Sequence, residues 1–200
     1  MLYFIITCAL ILLSVFVFLP RFSQFTQRYN LGINFFLTLV ATLVGVFLAI
    51  SITNYETVKQ EKQDVIKLLL SSISSVETCH EYTRVLVEYH NSLPAKDGSK
   101  ADFYVNNPPP YPDYLDIFLT QNIVSKNLSG ASLSDLNELL INLKRSRTSN
   151  APLYLELLKR TQDLLQVEVS FQQGNISHNQ LEAQLDTLND FTQSAVSTVK

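Results

Sequence analysis

Few residues in this chain have the type and spacing that chemistry demands. Glu77 and His80 stand three apart, which on a helix turns a carboxylate and an imidazole to one side. Carboxylate-bridged di-iron bundles use that pair on two helices, plus one further glutamate from each of two others. This sequence holds one Glu-x-x-His. His178 with Glu182 is a second acid–imidazole pair, but it falls at a helix start, an awkward place for a ligand at a bundle centre. His80 lies between Val76 and Val87 on an apolar stripe, which suits a core histidine, so no metal site is expected. Cys79 adjoins His80, yet neighbours on a helix point about 100° apart and cannot pair as thiolate and imidazole. Cys8 sits in an apolar run and reads as a small apolar residue. No Gly-x-Ser-x-Gly elbow is present, and five well-separated glycines build no phosphate-cradling loop. The expectation is a non-enzymatic protein with no catalytic residue and no cofactor.

Charge supplies the remaining candidates. Lys144, Arg145 and Arg147 cluster where a helix should end. Three cations there compensate the negative end of the helix dipole, and they are also the best anion-binding candidate, for phospholipid headgroups or a phosphate ligand. Glu77, Glu81, Arg84 and Glu88 share one helical side at i+3 and i+4 spacing and read as a solvated, salt-bridged face.

The elements that must position these groups belong to two regimes. Of the 200 residues, 46% are hydrophobic and 16% charged, but residues 1–52 hold only two charged side chains, Arg21 and Arg28. Residues 53–200 carry all 18 acids and a net charge of −5. Nothing is strongly basic, so no nucleic-acid partner is expected. Two cysteines exclude a disulfide framework.

Residues 2–19 and 33–52 are uncharged runs long enough, at about 1.5 Å per residue, to cross the roughly 30 Å hydrocarbon core of a bilayer. Pro20 and Gly32 bracket the short connection, so a transmembrane hairpin is expected over 1–53, with Tyr3 and Tyr55 at one interface and Phe22, Phe25 and Tyr29 at the other. A cleaved signal peptide would bring a basic leader, a shorter apolar run and a small-x-small site, none of which precedes Pro20. Sidedness stays open. Lys59, Lys62 and Lys67 outnumber Arg21 and Arg28, while the contrast across the first span points the other way. On the second span Ala41, Gly45 and Ala49 recur every fourth residue, with Thr38 and Thr42 beside them. Such small residues let helix backbones approach closely, either to seat the first span or to join two copies of the chain.

Residues 54–200 predict a soluble helical domain of about five helices. No glycine or proline falls between Gly45 and Pro94, so the second span either continues as one helix or pauses near Ile52–Asn54. Val58, Val65, Leu69, Ile73, Val76 and Val87 form its apolar stripe. A proline-rich loop over 94–112 follows. Its PPPYP string could dock into another domain's aromatic groove, but Tyr104, Tyr111 and Tyr114 favour packing on its own core. Further helices are expected over 113–127, from a Ser132–Asp135 capping box to an end in Lys144, Arg145 and Arg147, from Asn150 and Pro152 to Gln172 with Gly174 at the stop, and from a Ser177–Gln180 box onward, with Leu181, Leu185, Leu188 and Ala195 as the last buried stripe. The alternation Val167-Val169-Phe171 resembles a strand but has no partner.

The chain therefore reads as an all-α, two-span integral membrane protein of a bacterial plasma (inner) membrane. It is expected to present a helical interaction or sensing domain at the bilayer surface, with lipid, a protein partner or its own copies as partners. The alternative is a ligand-gated membrane effector whose domain senses a small anion and whose spans associate or disrupt the membrane.

Overall fold

A computed structural model describes residues 2–17, 30–94, 100 and 102–197. All regular structure among them is helical: α1 (Leu2–Val17), α2 (Asn30–Ser92), α3 (Phe103–Asn106), α4 (Tyr114–Thr120), α5 (Asn122–Asn127), α6 (Gly130–Ser146), α7 (Ala151–Gln172) and α8 (His178–Ser197). Two compact units divide between Gln60 and Glu61. Most of the expected connection between spans, with Pro20, Arg21, Phe22, Phe25, Arg28 and Tyr29, lies outside the described residues, as do the side chains of Tyr3 and Ala195, but Gly32 does not bound it, because α2 already begins at Asn30.

The first unit is apolar and largely uncovered. Among the described residues one helix, α2, is long and apolar enough to cross a membrane. The 16 residues of α1 are mostly apolar and none is charged. Leu31 is 90% exposed and Phe35 73%, while Thr7 and Val40 are buried. No pause interrupts α2 at Ile52–Asn54, and Asn54 caps nothing. Thr53 and Thr57 return their hydroxyls to the carbonyls of Ala49 and Thr53, both at 2.9 Å, so β-branching there is absorbed inside the helix.

The second unit is a bundle around one core. From α2, Val65, Leu69 and Val76 are completely buried, joined by Ser72, Cys79 and Thr83. Ser72 and Thr83 hide among apolar neighbours because each hydroxyl donates to the carbonyl four residues back, Leu68 and Cys79. Val58 does not belong to this stripe. It precedes the packed unit and stays 64% exposed.

The expected single helix over 113–127 is two. Gln121 is extended (φ −74°, ψ 129°) between α4 and α5. In one continuous helix Val124 would point about 120° away from Phe118; the break returns both to the core, where each is fully buried. The loop over 94–112 contains α3, whose Phe103 is buried.

Capping explains the remaining boundaries. α6 begins before the expected Ser132–Asp135 box, because Ser129 Oγ accepts from Ser132 N at 3.1 Å and is the true cap. Leu136, Leu139, Leu140 and Leu143 then bury the stripe read from their spacing. Asn150 caps α7 through Leu153 N at 3.0 Å, and Gly174 ends it in the left-handed region at φ +79°. Residues 167–171 are helical. Ser177 and Gln180 form the reciprocal box that opens α8, whose Leu181 and Leu185 are buried.

Candidate functional site

The basic cluster at the end of α6 meets the proline run. Three consecutive prolines have no N–H, and Pro109 is buried, so carbonyls of the run need donors from elsewhere in the bundle. Arg147 Nε donates to the carbonyl of Pro109, and the Tyr154 hydroxyl of α7 donates to that of Pro110 at 2.7 Å. Lys144 pairs with Asp116 Oδ1 at 3.0 Å and lies 5.5 Å from the centre of the Tyr111 ring. Tyr111 donates to the same oxygen at 3.1 Å. The segment 108–112 is thus a strap clipped to its own bundle. Burial, with Asp116 beside one and Cys79 beside the other, pushes Tyr111 and Tyr154 well above the usual phenol range. Both are neutral donors at ordinary pH.

The three cations do not converge on one position. Lys144 turns to Asp116, Arg147 turns to the strap, and Arg145 is exposed with no ion pair among the described residues.

On α2 the membrane candidates Thr38, Ala41, Thr42, Gly45 and Ala49 are all exposed. A Cβ built on Gly45 meets nothing within 4 Å, and the hydroxyls of Thr38 and Thr42 return to the carbonyls of Asn34 and Thr38. At 100° per residue this face lies well away from buried Val40.

Glu77 and His80 are not brought together. His80 Nδ1 lies 3.5 Å from Glu81 Oε1, while Glu77 opens onto a groove of about 470 Å³ lined by Ser74, Thr78, Glu81, Tyr82 and Val85. Arg84 holds Glu81 at 2.8 Å and Glu88 at 2.7 Å, and it lowers the Glu81 carboxyl below its usual range. Among the described residues, no three His, Cys, Asp or Glu side chains converge as a metal site would require. His178 Nε2 meets Glu182 at 3.3 Å on the surface. Burial raises the Cys79 thiol, which favours its unreactive protonated form.

Two polar clusters escape a reading by periodicity. Glu168, fully buried on α7, receives Ser132 Oγ at 2.6 Å, Gln172 Nε2 at 2.8 Å, Ser129 Oγ at 3.3 Å and Ser129 N at 3.4 Å. The group therefore sits against the positive end of the α6 dipole, where negative charge is favoured. Arg160, also buried, donates to Asn189 Oδ1 at 2.9 Å, and Asn189 donates to Asp135 at 3.0 Å, tying α8 to α7 and α6. Desolvation lowers the Arg160 guanidinium from its usual range, and Asp135, Glu138 and Glu156 counter that effect. The sequence signal for both clusters is a polar residue at a core register.

Comparison with protein-family models, with curated proteins and with solved structures finds no match.

Proposed function

We propose that this chain is a non-enzymatic integral membrane protein, anchored by a two-helix hairpin in a bacterial plasma membrane, whose helical domain binds another protein or its own copies at the bilayer surface. One observation carries the reading. The apolar part of α2 exposes large side chains that water would not tolerate, whereas from Val65 the same helix contributes fully buried residues to a bundle. Exposed Leu31, Phe35 and Leu39 make sense against lipid, where apolar contact replaces hydration. The hairpin rests on the second apolar segment, α1. The small-residue face of α2 is the surface this reading offers to another helix within the membrane.

The effector alternative draws less support. Its candidate anion site needs Lys144, Arg145 and Arg147 free to act together, and two of them are engaged within the bundle. Membrane fractionation followed by alkaline extraction tests the anchor: the chain should stay with the lipid pellet, and release into the supernatant would overturn it. Dye-filled liposomes of anionic lipid test the alternative. Retention of dye after reconstitution, with and without inorganic phosphate, is expected, and phosphate-dependent release would favour the effector.

A further inference from the structure

We draw no further inference here: the strongest candidate, the outward face of α2 between Ser74 and Val85 with its open groove and exposed Tyr82, is a mixed polar and apolar surface with nothing in the structure to show what covers it.

Discussion

Replacing Glu168 tests whether the second unit is held by a buried charge. Its carboxylate accepts two short bonds, from Ser132 Oγ at 2.6 Å and Gln172 Nε2 at 2.8 Å, and two long ones from Ser129. The donors are fixed by their other bonds. Ser129 Oγ accepts from Ser132 N, so its proton is free for Glu168, and Gln172 Nε2 spends its second proton on the carbonyl of Asn127. Glu168→Ala removes the shared acceptor, strands the Ser132 hydroxyl and half of the Gln172 amide, and leaves a void. Each buried donor left unsatisfied costs about 1–3 kcal/mol, so the variant should lose roughly 3–5 kcal/mol. For a unit of this size each kcal/mol moves Tm by about 3–5 °C, which puts the fall at roughly 10 °C or more. Glu168→Gln keeps the shape but aims an amide N–H₂ at donors. The hydroxyls can rotate to accept, so it should cost about 1–2 kcal/mol. Far-UV circular dichroism melts of the detergent-solubilised full chain read both. A double-mutant cycle with Ser132→Ala should show coupling above about 0.5 kcal/mol. If Glu168→Ala melts with the wild type, or the cycle is additive, the carboxylate is solvated and the reasoning fails.

Arg147→Met should unclip the strap at a cost of about 1.5–3 kcal/mol, against less than about 0.5 kcal/mol for Arg145→Gln; in a Cys8→Ser background, faster thiol labelling of Cys79 in Arg147→Met alone is the expected readout, and equal rates would refute the clip. Because folding raises the Tyr111 and Tyr154 ionisations, the stability they contribute is present below about pH 10, the unfolded value, and is lost as pH rises towards the folded ones. Phenolate absorbance from all nine tyrosines with helicity intact would contradict this. A Cβ at Gly45 meets nothing within 4 Å among the described residues, so a shift of Gly45→Ile to a smaller species in detergent would report contact between copies, and an unchanged size would leave this face to lipid or to the first span. Chelators and divalent metals should leave Tm unchanged, and a metal-dependent rise that vanished in His80→Ala would restore the metal reading.

The long apolar helix and the bundle are legible for different reasons. In α2 the membrane signal is composition alone, which survives any error in register. In α6 the i, i+3, i+4, i+7 leucines state both the helix and its buried face. Boundaries are less legible where two local solutions compete. Ser132 with Asp135 imitates a capping box, but Ser129 lies three residues ahead of Ser132 and takes the cap. Asp135 then goes to Asn189, a contact 54 residues away that local spacing cannot encode. The break at Gln121 is tertiary too. Nothing in Thr120-Gln121-Asn122 forbids a helix, and the break is needed only because Phe118 and Val124 must meet the same core.

The proline run shows how polar partners become readable once the demand on them is stated. A buried segment without N–H groups still presents carbonyls, and each must find a donor from outside the segment. Arg147 and Tyr154 are such donors, long enough to reach the run and rooted at the end of α6 and the start of α7. The same demand singles out Glu168 and Gln172. On α7 they continue, at helical spacing, the buried register of Leu157, Thr161, Leu164 and Leu165. A carboxylate there is tolerable only beside several donors, and the N-terminus of a neighbouring helix is where backbone and cap donors gather. Polar residues at core registers therefore mark which helix ends must meet, and here they join the later turns of α7 to the start of α6.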